Sequence, residues 1–195
     1  TAYVHGLWHS DGHEGSLKVV TAKGELCTPT LIAVLDDHSR LCCHAQWYLV
    51  ENSQHTVHTL CQAIQKRRLC RKYMSDLGKA FMAGEMTEGL LRLGVKHSPT
   101  LPYSPHQNAK IENFWGQVEG RVLAMLENCP ELTLELLNRA TQAWVEMEYN
   151  REEHGETRQP PIERFLSSPS VGRPSPSSEA LRMAFRVEVK RTQRR

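Results

Sequence analysis

The chain lacks any long apolar run: its longest purely aliphatic stretch, Leu31 to Leu35, falls far short of the ~20 residues that a membrane-spanning helix needs. It also lacks a basic N-terminal segment followed by an apolar one, so the expectation is a protein neither inserted in a membrane nor secreted. No CxxC spacing joins Cys27, Cys42, Cys43, Cys61, Cys70 and Cys129, which favours reduced, buried thiols and a cytoplasmic setting over a disulfide scaffold. Strong charge of one sign is absent, the formal net charge being +2, and there is no glycine and proline excess of the collagen-like kind. What is present, 39% hydrophobic and 24% charged residues over 195 positions, suits one principal core.

The small net charge is unevenly spread. Residues 179–195 hold Arg182, Arg186, Lys190, Arg191, Arg194 and Arg195 against Glu179 and Glu188, a local balance of +4 that leaves −2 for the rest. Such a tail suits contacts to nucleic-acid phosphates, and equally a solvated end. The chain starts at Thr1 without a methionine and ends in this tail, so it reads as a piece of something longer. His5, His9 and His13 share a four-residue spacing, but no cysteine pair follows at zinc-finger distance.

Periodicity and turn residues give the element order. Strands are expected at Val4 to Asp11, Pro29 to Leu35 and Leu41 to Val50, with turns at Asp11-Gly12, Lys23-Gly24 and Asp36 to Ser39. Ser53 is expected to cap a helix to about Arg68, followed by a strand at Arg71 to Ser75, a helix at Met82 to Leu93 and a strand at Val95 to Ser98. Three prolines force a loop at 99–105. A long helix capped by Asn108 should then bury Ile111, Trp115, Val118, Val122 and Met125, and another from Glu131 to Tyr149 should bury Leu134, Leu137, Ala140, Trp144 and Met147. Residues 167–178 have linker composition, and Ala184 to Lys190 alternates like a strand opening a further small β-barrel. The expected division is a core at 1–166, the linker, and the start of another module or a basic tail at 179–195.

Three carboxylates stand where elements meet loops: Asp11 after the first strand, Asp76 after the fourth, and Glu112 in the first turn of the long helix. If the first and fourth strands are neighbours, two carboxylates meet at one sheet edge and the helix supplies a third. Such a cluster repels itself unless cations neutralise it, and hard oxygen donors suit Mg²⁺ or Mn²⁺. Two such ions could clamp the attacking and leaving oxygens of a phosphoryl transfer.

The words around these residues are Trp8-His9-Ser10-Asp11, Leu35-Asp36-Asp37-His38-Ser39-Arg40, Ser75-Asp76-Leu77-Gly78-Lys79-Ala80-Phe81 and Tyr103-Ser104-Pro105-His106-Gln107-Asn108-Ala109-Lys110-Ile111-Glu112, with 35 residues between Asp76 and Glu112. Together they resemble the integrase catalytic core shared by retroviral integrases and bacterial insertion-sequence transposases. Tyr149-Asn150-Arg151 with His154, and Gln159 to Phe165, look like the segment that closes that core in bacterial members. Leu77 stands where members usually have Asn, and Ala109 where they usually have Gly.

The resemblance implies an α/β fold of the ribonuclease H-like kind, a five-stranded mixed sheet flanked by helices. It implies that Asp11, Asp76 and Glu112 hold two Mg²⁺ or Mn²⁺ ions, and that the activity is DNA 3′-end cleavage and strand transfer. Lys79, Tyr103, Gln107, Asn108 and Lys110 would contact DNA, and the partners would be double-stranded DNA and further copies of the chain, in a bacterial, nucleoid-associated setting. A nuclease that cuts without joining, and an inactive DNA-binding relic, are the alternatives. Asp36, Asp37, Ser39 and Arg40 read as turn caps, Glu119 as lying on the helix face toward DNA, and the four tryptophans as core.

Overall fold

The computed structural model describes residues 1–100 and 109–186. Its centre is a five-stranded sheet in the order β5-β4-β1-β6-β7. The strands are β1 Trp8–Glu14, β4 Thr30–Asp36, β5 Cys42–Tyr48, β6 Lys72–Met74 and β7 Lys96–His97. β5, β4 and β1 pair antiparallel, and β1, β6 and β7 parallel. This is the mixed sheet that the element order implied, and all five expected strands are in it. A small hairpin, β2 Val19–Val20 and β3 Leu26–Cys27, flanks the expected turn at Lys23-Gly24, where Gly24 takes φ 79°.

Successive residues of β4 face opposite sides and all are buried after Thr30, because helices cover both faces. Ile32 and Val34 join one core with Trp8, Leu60, Ile64, Tyr73 and Leu90, under α1 Ser53–Arg67 and α2 Gly84–Arg92. Leu31, Ala33 and Leu35 join the other with Trp47, Ile111, Phe114, Val118 and Leu137. That face is covered by α3 Ala109–Gln117, which continues through a π-helical turn, Val118–Leu123, into α4 Ala124–Leu126. It is also covered by α5 Leu134–Trp144, which ends in a second π-helical turn, Val145–Tyr149. All four tryptophans are core, as expected.

The differences from expectation have local causes. β1 begins at Trp8 rather than Val4 because His5 takes φ 63°, which no strand residue does. It also runs past Asp11, because β4 keeps pairing through Gly12, His13 and Glu14; Asp11-Gly12 is strand, not turn. The cap of α1 is Asn52, whose side chain accepts the His55 N–H, rather than Ser53. Met125 and Met147 were expected inside but are each 67% exposed. Met125 follows the first π-helical turn and Met147 lies inside the second, and this wider winding rotates both off the α-helical stripe. Leu123 and Tyr149 are buried in those stretches instead.

β5 is an edge strand, and two asparagines cover its free backbone. Asn150 accepts the Cys42 N–H and donates to the Cys42 carbonyl, and Asn138 does the same for Trp47. Residues 168–186 do not hang free. Val4 bonds to Pro169 and Val171, Leu69 bonds to Arg173 in both directions, and α7 Ser178–Ala184 drives Leu181, Ala184 and Phe185 into the core beside α2. The Phe185 ring lies against Gly89 so closely that no Cβ would fit there. Ala184 therefore ends a helix where a strand was expected, and residues 187–190 of that stretch lie outside the described residues.

Candidate active site

β1 and β6 pair in parallel with Trp8 opposite Tyr73 and His9 opposite Met74. The same register, carried two residues further, sets Asp11 beside Asp76. Asp11 is still inside β1, held by Ala33 of β4, while Asp76 lies in the turn that leaves β6. That turn is built by Asp76 itself, whose Oδ1 accepts the Gly78 N–H at 2.9 Å. A Cβ at position 78 would stand 2.9 Å from the same oxygen, so glycine lets the backbone approach the carboxylate. Asp11 Oδ1 similarly accepts the Gly12 N–H at 2.9 Å.

Burial raises the Asp11 carboxyl to about 6. The Gly12 hydrogen bond lowers it, the Asp76 charge raises it, a hydrogen bond from Trp115 lowers it, and the Glu51 charge raises it. Glu51, just ahead of α1, is itself raised, first by burial and then by Asp76. Its Oε2 lies 3.0 Å from where a Cβ on Gly12 would be. Among the described residues, no Lys, Arg or His forms an ion pair with Asp11, Asp76 or Glu51.

Glu112 is in the first turn of α3, which packs against β1, and its side chain is exposed. Among the described residues, no three His, Cys, Asp or Glu side chains are gathered closely enough to enclose a metal ion. The structure thus brings Asp11 and Asp76 together and leaves Glu112 on the neighbouring helix. The donor chemistry fits a hard divalent cation: carboxylate oxygens that repel one another at a sheet edge, open to solvent on one side. Asp11, Asp76 and Glu112 are the residues that could hold it.

Compared with known proteins, this fold has close company. The HTLV-2 integrase catalytic core domain, solved in complex with magnesium in a trimeric form, superposes with a TM-score of 0.63 at 19% identity over 84% of this chain and 97% of its own. The catalytic core domain of BIV integrase gives 0.64 at 20% identity, over 83% and 94%. This is the integrase catalytic core fold. A chain of the simian T-cell lymphotropic virus intasome, solved in complex with PP2A regulatory subunit B56 gamma, gives 0.71 at 16% identity, covering 91% of this chain and 59% of that one. In sequence, the chain is 24% identical over 181 residues to the transposase for transposon Tn552 of Staphylococcus aureus. That likeness takes in 83% of the chain, which spans 37% of the transposase's length. No family model matches.

Around this integrase-type core the other expected site residues divide. Lys79 is exposed, three residues beyond Asp76. Tyr103, Gln107 and Asn108 lie outside the described residues, as does the expected cap by Asn108. Lys110, expected at DNA, is ion-paired to Asp37. Glu119, expected toward DNA, instead accepts from His13 Nε2 at 2.8 Å and from Ser16 Oγ and N, which ties α3's continuation to the end of β1.

Asp36, Ser39 and Arg40 are structural, as read from the sequence. Asp36 accepts from the backbone and hydroxyl of Ser39 and from the His5 N–H, and Arg40 forks onto Glu156. Asp37 does more than cap the turn. It accepts from His9 Nε2 at 2.9 Å and from Lys110 Nζ, and the Thr1 amino group also lies on it. Burial pushes its carboxyl up, but these three hydrogen bonds outweigh burial and hold it well below the usual carboxylate range. Glu51 and Asp37 are the two residues that sequence reasoning missed here. A lone Glu ahead of a helix carries no signal, and Asp37 was hidden in a turn word that already explained it.

Proposed function

We propose that this chain is the catalytic core of a DDE-type transposase or integrase, a polynucleotidyl transferase acting on double-stranded DNA. The observation that carries the reading is the register of β1 and β6, which brings Asp11 and Asp76 to one sheet edge within an integrase-type fold. When bound, Mg²⁺ or Mn²⁺, two ions in the full reading, would neutralise the carboxylates and lower the barrier to attack on a phosphodiester.

The chain's own residues do the positioning. Asp11, at about 6, is ionised at neutral pH, and its hydrogen bond from Gly12 fixes one of its oxygens. The curled Asp76 turn keeps that carboxylate from rotating away. In this reading Glu112, on an exposed helical turn, completes the donor set, and the exposed Lys79 meets a backbone phosphate. Water first cuts at an element's end to free a 3′ hydroxyl. That hydroxyl then attacks a target phosphodiester in line, one P–O bond forming as another breaks, with no covalent enzyme intermediate. Two ends joined together call for a dimer or larger assembly of this chain, in a bacterial cytoplasm. In this reading the catalytic unit, expected at 1–166, takes in the segment up to residue 186, because Leu181, Ala184 and Phe185 share its core.

The test is resealing of a branched DNA that mimics a strand-transfer product, with Mn²⁺, by wild type and by Asp76→Asn. Resealing by wild type alone supports the reading. Cleavage without resealing points to a nuclease, and neither activity points to a DNA-binding relic.

A further inference from the structure

α3 and β1 are fastened along a polar seam. His9, Asp11 and His13 alternate with Trp8, Ser10 and Gly12, so they share one face of the sheet, the face that α3 covers. At the far end of the seam, His13 stacks on Trp115 at 5.3 Å between ring centroids and bonds to Glu119. In the middle, Asp11 lies between His9 and His13 on this same face of β1. At the near end, Asp37 is the common partner of His9, two residues before Asp11, and Lys110, two residues before Glu112. Asp37 is 3% exposed, so the pair is desolvated on the carboxylate side.

The geometry points to Asp37 and Lys110 as positioning residues that set the distance between Asp11 and Glu112. This inference rests on the function proposed above. Glu112 lies between two anchors of α3 on β1 and its neighbour, Lys110 on Asp37 and Trp115 stacked on His13, and has no fastening of its own among the described residues. Releasing the Lys110 anchor lets the first turn of α3 fray and swing Glu112 away from β1. Lys110 thus serves the reaction through Asp37 and not through a DNA phosphate. A charge-neutral substitution on either side of the pair has the same consequence, because each removes the same link.

The experiment is a double-mutant cycle on the 195-residue chain with Asp37→Asn, Lys110→Gln and both together. Three readouts are taken: kcat and KM for resealing the branched DNA with Mn²⁺, Mn²⁺ affinity by calorimetry, and amide hydrogen exchange at Asn113 to Gln117. The expected result is a kcat lowered about tenfold or more by each single variant with KM for DNA within about twofold. Mn²⁺ affinity falls in parallel, exchange at 113–117 quickens, and the double variant is no worse than either single. Lys110→Arg, which keeps the charge, restores most of kcat.

A raised KM for Lys110→Gln with unchanged exchange, and a silent Asp37→Asn, would overturn the inference and make Lys110 a DNA contact. Additive losses in the double variant would overturn it as well. Should Asp37→Asn fold poorly, Lys110→Gln, whose side chain is 34% exposed, carries the same comparison. If wild type reseals nothing, the proposed function falls and with it the catalytic purpose of the bridge. Exchange at 113–117 then separately decides whether the bridge holds the helix.

Discussion

Asp37, in the turn that leaves β4, and Asp11, inside the neighbouring β1, are carboxylates whose surroundings push them in opposite directions. Asp37 is almost wholly buried and meets His9, Lys110 and the Thr1 amino group, so it is held ionised far below its ordinary range. Asp11 has no such partners: burial, to which the nearby Asp76 and Glu51 charges add, pushes it up to about 6. One carboxylate is satisfied by the fold, and the other is left wanting a cation. The contrast separates a residue that holds the scaffold from one that the scaffold holds in tension.

The largest expected effect falls on the unsatisfied side. Asp76→Asn should lower the rate of resealing by about a thousandfold or more, some 4 kcal/mol of barrier, as measured under single turnover with Mn²⁺. Thermal stability should not fall with it. Asp37→Ala should do the reverse in kind: a loss of about 2–4 kcal/mol by urea unfolding, because it strands His9 and Lys110 without their common partner.

Asp11 sharpens the contrast through pH. Its folded carboxyl, at about 6, lies above its ordinary value of 3.8, so the folded state binds the proton more tightly. The stability it contributes is complete below about pH 4 and is lost as pH rises through about 6, without metal present. After discounting for solvent, that loss is about 1–2 kcal/mol. Asp11→Asn should erase this slope and raise the thermal midpoint at pH 7.5 while abolishing resealing; a midpoint that falls would break the comparison. The smallest effect belongs to Glu51→Gln, which should shift the Asp11 slope to lower pH by a few tenths of a unit and alter resealing by less than about threefold.

Much of the fold was legible because its signals are local. β4 and β5 are largely apolar stretches separated by the turn word Asp36 to Ser39, the other strands follow from their place between turns and helices, and the two long helices carry their stripes for about three turns before losing phase. Legibility ended where the backbone changed its winding: nothing in the composition of Val118–Leu123 or Val145–Tyr149 announces a π-helical turn, so Met125 and Met147 were misplaced. The Asp11 and Asp76 pairing was conditional on the first and fourth strands being neighbours, and the parallel register of β1 and β6 supplies that neighbourhood. Asp37 could not be read, since its partners lie 28 and 73 residues away in sequence. Residues 167–178 looked like a linker because Ser and Pro dominate them, yet backbone bonds from Val4 and Leu69 hold that stretch down.

The contrast between the two carboxylates comes down to whether the Asp11 side takes up a cation. Titrating Mn²⁺ by calorimetry into wild type and Asp11→Asn at pH 6.0 and pH 7.5 decides it. Wild type should bind at both, more weakly and with proton release at pH 6.0, and Asp11→Asn should lose that binding and its proton. Equal binding by the two proteins, or none by wild type, would contradict the assignment of this sheet edge as the metal-dependent active site.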